Sequence, residues 1–174
     1  MFILRAIGSK IVIEPSGEEF SAQLYEIIGD LIESDSIKKL DEYNQHLGIS
    51  RLQHSVNVAY YSYCAAKALR LDYRSSARGA LLHDLFFYNW KETSMTCGVH
   101  ATNHPQIALK NAEQITDINK VESDIISKHM WPITLAPPKY AESYLVSFAD
   151  KFCTVMEVFS QSAKKMALAF KFGS

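Results

Sequence analysis

The sequence predicts an all-α bundle of six or seven helices behind a short extended N-terminal segment. Two observations carry this. Apolar residues recur at intervals of three and four through most of the 174 residues. Capping residues, glycines and prolines punctuate the chain at helical lengths, and strand-like β-branched sequence is confined to residues 2–14.

Residues 2–14 are short and β-branched-rich and end at Pro15-Ser16-Gly17, which predicts an extended segment or a small hairpin. Ser16 with Glu19 three residues on has the form of a capping box. From there Phe20, Leu24, Ile27, Ile28 and Leu31 keep helical spacing to about Glu33. Ser34-Asp35-Ser36 signals another start, and a short helix is expected over Ile37 to Tyr43, with Gly48 closing the region. Residues 51–70 form a helix without internal Gly or Pro. Asp72 or Ser75 opens the next, which runs through His83-Asp84 to about Phe87.

Residues 88–103 read as a loop, after which Pro105 sits in the first turn of a helix reaching about Glu113. A helix over Ile118 to Lys128 stops near Trp131-Pro132, and the prolines within 135–139 mark a loop. Ala141 to about Phe170 is a long helix whose Phe and Tyr stripe is expected in the core. No repeat or linker divides the chain, so a single domain over 1–174 is expected, with residues 1–17 as an extended lead-in.

Composition excludes several classes. A hydrophobic fraction of 48% with 21% charged residues is that of a globular domain, not of a disordered chain. A net charge of -1, with Lys and Arg scattered among as many acids, gives duplex nucleic acid no basic face to bind. Cys64, Cys97 and Cys153 lack pairing spacing and read as reduced thiols, the first and last as small core residues. Arg5 and Lys10 interrupt the apolar N-terminus, and no stretch approaches the roughly 20 apolar residues of a membrane span. A cytoplasmic protein without membrane association is the expectation, and a homodimer is left open.

The chemistry lies in polar residues set into apolar helices. Asp150 sits within Val-Ser-Phe-Ala-Asp-Lys-Phe, and Asp84 lies between Leu81-Leu82 and Leu85-Phe86-Phe87. Burying such carboxylates is expensive unless something pairs with them. His54 lies on one apolar helix, His83 precedes Asp84 on another, and His129 ends a third. Carboxylates with imidazoles form an oxygen-and-nitrogen ligand set for a divalent ion, and one metal would satisfy several at once.

The order His54, His83-Asp84, Asp150 resembles the H…HD…D signature of the HD-domain superfamily of metal-dependent phosphohydrolases. The resemblance spans roughly residues 48–158 and rests on Arg51-Leu-Gln-His54-Ser, Gly79-Ala-Leu-Leu-His83-Asp84 and Ser147-Phe-Ala-Asp150-Lys151. It implies an HD-type helical bundle in which His54, His83, Asp84 and Asp150 hold a metal. By likeness to the two-metal HD proteins, Asp84 would bridge to a second ion held by His104 and His129. The implied cofactor is one or two divalent ions from among Fe, Mn, Mg, Ni, Co and Zn.

The implied activity is hydrolysis of a small-molecule phosphomonoester or phosphodiester, with nucleotides the expected substrates, by metal-activated water. Asp84, Arg51 and Lys151 are the candidate catalytic residues. Arg51, one turn before His54, is also a candidate phosphate clamp. His100 is assigned a substrate-side or structural role, and His46 is placed on the surface. Trp90 and Trp131 are candidates for stacking on a base or for the core. The GYP segment of the cyclic dinucleotide phosphodiesterases is absent and Phe87 stands where they carry Lys, so that activity is not implied. A single-metal nucleotidase, a catalytically silent ligand-binding or signalling module and an HD-type di-iron oxygenase remain the alternatives.

Overall fold

The computed structural model describes residues 5–9, 11–89 and 97–172, with residues 97–98 and 167–172 as backbone alone. Seven α-helices and one two-stranded hairpin make up these residues. Trp90 lies outside them, as does the side chain of Cys97. No helix among them is long and apolar enough to cross a membrane.

The N-terminal segment is extended, as expected, and folds back through one antiparallel bridge between Arg5 and Val12. Helix α1 covers Glu19–Ile32 and buries Leu24, Ile27, Ile28 and Leu31. The Ser16–Glu19 box does not form: Glu18 occupies the N-cap with no side-chain bond. The nearby Ser21 hydroxyl instead accepts from the amide of Glu14, tying the lead-in to the helix.

The start at Ser34 is real, its hydroxyl accepting from the amide of Ile37. The helix expected over 37–43 is only α2, Asp35–Lys38, followed by a 3-10 turn at Lys39–Glu42. A hairpin not anticipated from the sequence follows, β1 (Asn44–His46) and β2 (Ile49–Ser50). Its two-residue turn, Leu47-Gly48, takes positive φ at both positions, 40° and 92°. That is the twist which lets such short loops join antiparallel strands. A bulge between Asn44 and His46 re-aims the strand at Gln45.

Helix α3 (Arg51–Leu69) packs against both α4 (Tyr73–Leu82) and α7 (Ala141–Phe172) and is the central element. Asp72 caps α4 by accepting from the amide of Ser75. That helix stops at Leu82, well short of Phe87. The carbonyls of Phe86 and Tyr88 are drawn away instead by the Arg51 guanidinium.

Helix α5 (Cys97–Ala112) begins ahead of Pro105, which lies inside it although the sequence favoured a loop up to 103. Side-chain contacts hold this early turn: His104 Nδ1 bonds the His100 carbonyl, and the His100 and His104 rings stack at 4.5 Å. Helix α6 (Lys120–Lys128) carries a true capping box of Asn119 and Glu122.

Helix α7 corrects one expectation. Its buried face is Ser143, Val146, Ser147, Asp150, Cys153 and Glu157, whereas Phe148, Phe152 and Phe159 are exposed. The aromatic stripe is therefore not core.

Candidate metal centre

Two triads of buried side chains share one carboxylate. His54, His83 and Asp84 bring one ligand atom each within 4.8 Å of one another, and Asp84, His104 and His129 do the same. Four elements deliver them: His54 from α3, His83 and Asp84 from the turn closing α4, His104 from α5, and His129 just past α6. Asp150 of α7 completes the first group, its Oδ1 3.1 Å from His54 Nε2 and 3.8 Å from His83 Nε2.

The hydrogen bonds turn these rings inward. His83 Nδ1 donates to the Ala80 carbonyl at 2.6 Å, His104 Nδ1 to the His100 carbonyl at 2.8 Å, and His129 Nδ1 to the Ile126 carbonyl at 2.9 Å. A carbonyl only accepts, so each Nδ1 carries a proton, and Nε2 is the ring atom turned to the centre, where a ring without a second proton offers its lone pair. Among the described residues His83 Nε2 and Asp84 Oδ1 are buried without a hydrogen-bond partner. Buried polar atoms are rarely left so, and together with the inward lone pairs they make a donor set that fits divalent cations.

His54 is oriented by Glu157, which the sequence reading passed over. Glu157 is fully buried, receives His54 Nδ1 at 3.0 Å and accepts from Asn57 Nδ2 at 2.7 Å. Asn57 Oδ1 in turn accepts from the amide of Ile7 and from Gln53 Nε2. The signal was available: Glu157 lies two turns beyond Asp150, on the same face of one helix.

Electrostatics follow from this enclosure. Burial pushes the His54 pKa down, but hydrogen bonds to Asp150 and Glu157 outweigh it and raise the value to about 10 in the metal-free protein. Burial would raise both carboxyls. The imidazoles of His83 and His104 instead hold Asp84 well below the ordinary range, and His54 and His83 hold Asp150 below it. Burial, helped by His83 and His104, lowers His129 to about 3, so its ring is neutral. His100 falls to about 4 for the same kinds of reason, burial and then His104.

A cleft of about 360 Å³ opens onto the second triad and Asp150. Met130, Ile133 and Val155 supply apolar wall, while Lys151, Thr154 and Gln45 supply polar groups. Lys151 Nζ is held by the His129 carbonyl at 2.6 Å and Asp150 Oδ2 at 3.2 Å. His100 lines the cleft and meets the Tyr88 hydroxyl at 3.2 Å. His46, expected on the surface, is half-buried on the hairpin, lines the same cleft and packs edge-on against His54. All six histidines of the chain therefore gather at this site.

Arg51 stands elsewhere than expected. It is fully buried, stacked 3.6 Å over the Phe86 ring, with Nη1 and Nη2 on the Phe86 and Tyr88 carbonyls and Nε on Gln45 Oε1. Gln45 Nε2 then donates to Asp84 Oδ2. The guanidinium is thus committed to shaping the segment after Asp84 and is not open to a substrate phosphate. Trp131 packs against Tyr144 and Phe148 on the outer side of α7.

Set against protein-family models, curated proteins and solved structures, the chain finds no match. What stands on the geometry alone is a helical protein with buried His/Asp triads able to hold metal ions.

Proposed function

We propose that the chain is a metal-dependent phosphohydrolase of the HD type, acting on a phosphomonoester or phosphodiester, with nucleotides as the substrate class. The observation that carries this reading is Asp84, shared between two buried triads, with the Nε2 atoms of His83, His104 and His129 each 3.3–3.6 Å from its carboxylate. A carboxylate so placed suits a bridge between two cations. His54, His83, Asp84 and Asp150 would hold one, and Asp84, His104 and His129 the other. When bound, such ions bring the pKa of a water toward neutrality and offset the charge that builds on phosphoryl oxygens.

The chain's own groups do the rest. The ammonium of Lys151, at the cleft and fixed by two acceptors, is placed to meet a phosphoryl oxygen. His46 and His100 border the cleft and can donate to or accept from the substrate body. Arg51, through Gln45, positions Asp84.

The test is the metal content of protein purified without chelator, measured by elemental mass spectrometry beside Asp84→Ala. Two equivalents lost in the variant support the reading, and a screen of nucleotides and phosphodiesters with the identified metal then names the substrate. One equivalent reassigns His104 and His129 to substrate contacts. No metal, even after reconstitution, overturns the hydrolase reading and leaves a ligand-binding module.

A further inference from the structure

Helix α7 is apolar on two opposite sides, and among the described residues the bundle covers only one. Val146, Asp150, Cys153 and Glu157 face the bundle, while Phe148, Phe152 and Phe159 are 60%, 50% and 75% exposed and Val155 is 66% exposed. A helix apolar all round is normally enclosed all round. From 162 to 166 every residue is exposed, so no described part of the bundle covers the helix there.

The exposed side has the spacing of a helix-pairing seam. Leu145, half-buried against the core, then Phe148, Phe152, Val155, Phe159 and Met166, with Ser162 as the single polar member, advance by alternating steps of three and four. That heptad pattern keeps one stripe facing a partner helix over several turns. We propose that this seam pairs with the α7 of a second copy of the chain, antiparallel and about a two-fold axis level with Cys153 and Thr154.

Three features select that occupant. In this register the seam is complementary to itself: Phe148 lies level with Phe159 of the second copy, Phe152 with its Val155, and Leu145 with its Ser162, which is what an isologous contact requires. A groove of about 410 Å³ beside Phe148 and Phe152, walled by Tyr61 and Leu69, is placed to take the incoming Phe159 ring. The charges agree as well. Lys164 and Lys165 fall level with Glu142 of the second copy, whereas a parallel pairing would set the two lysines against themselves.

The area is of the right size. At about 200 Å² per aromatic side chain, the three phenylalanines alone leave on the order of 350 Å² uncovered. Val155, Val158, Met166 and Leu69, all exposed, carry the patch toward the ~800 Å² that each partner gives to a standard interface. A monomer seldom leaves so much contiguous apolar surface open. Because Val155 belongs both to this seam and to the wall of the cleft, the second copy would border the mouth of the candidate metal centre. The pairing itself does not rest on the metal reading.

Light scattering on the full chain over a dilution series tests it. The wild type is expected at twice the chain mass. Phe159→Glu, which enters the interface twice by symmetry and each time opposite Phe148, should weaken dimerisation by about a hundredfold or more. Circular dichroism should show its helix content unchanged. The double change Lys164→Glu with Lys165→Glu, at exposed positions outside the core, should weaken it by about tenfold at low salt. Deuterium exchange over 148–166 should rise in both variants. A wild type monomeric throughout the series, or a dimer that both variants leave intact, overturns the proposal.

Discussion

His104 and His129 bring their Nε2 atoms within 2.8 Å of each other while each ring gives its Nδ1 proton to a backbone carbonyl. A contact this short is held by one proton shared between the two rings, or by a cation that takes its place. Asp84 Oδ1 stands 3.3 Å and 3.5 Å from the same two nitrogens, which marks where that charge belongs.

Metal should therefore stabilise the fold. A cation bound only by the native state adds about 2.7 kcal/mol at one hundred times its Kd, or on the order of 5–10 °C in Tm for a chain of this size. Manganese or iron is expected to raise the melting temperature of chelator-treated protein by that much. Asp84→Ala should abolish the shift; an equal shift in the variant would place the cation elsewhere.

Glu157 fixes the His54 ring through Nδ1, an arrangement by which an outer carboxylate sets the tautomer and aim of a ligand. Glu157→Gln should loosen metal binding by about 10–100-fold in a calorimetric titration. Glu157→Asp should recover only part of the loss, since its shorter stem withdraws the acceptor. A variant that loses melting temperature yet binds metal as tightly as wild type would reduce Glu157 to a packing role.

Arg51 is predicted to act on stability and not on substrate affinity. Arg51→Lys keeps the charge but cannot serve the Phe86 and Tyr88 carbonyls and Gln45 together. Leaving such buried groups unpaired costs about 2–4 kcal/mol in urea unfolding. A variant as stable as wild type but with a raised KM would restore Arg51 to the substrate.

Acid should weaken one link between α1 and α4. The hydrogen bond from Arg78 lowers the pKa of Asp30 below its ordinary value, so this link contributes stability above the unfolded-state pKa and loses it as pH falls through the depressed folded value. Asp30→Asn should lower Tm near neutrality, and its difference from wild type should shrink once pH drops below about 3.9. A difference constant with pH would show that the charge of Asp30 is irrelevant.

The contact of α4 with α6 is tight at Gly79, where an added Cβ would lie 2.9 Å from Ile125 Cδ1 and Cγ2. Gly79→Ala gains helix propensity yet should destabilise by about 1–3 kcal/mol through overpacking. Pairing it with Ile125→Val should return part of that loss; strict additivity would argue against the contact.

The helices and the two carboxylates were legible because both are local signals. Asp84 and Asp150 stood out as charges inside apolar runs, and helical spacing showed which faces were apolar. Spacing does not say what covers a face, so the Phe148–Phe159 stripe was assigned to the core although the bundle lies on the other side. The hairpin escaped notice because Leu47-Gly48 lacks the Asn-Gly signature of its turn, and with it went the placement of His46 at the cleft. Arg51 shares a helical face with His54, but its guanidinium reaches the chain that follows Asp84, a long-range contact no spacing encodes. Pro105 misled for a similar reason: a proline suits a helix start, yet the His100–His104 stack fixes an earlier one.

The lead-in is not a passive tail. The amide of Ile7 bonds Asn57, Asn57 bonds Glu157, and Glu157 grips His54, so two side chains separate the backbone near the first residue from a candidate ligand. A disturbance at Ile7, near that end of the chain, is expected to reach His54 along this line. A purification handle fused there and one fused at the far end should yield preparations of different metal content, and comparing the two belongs before any assay for turnover.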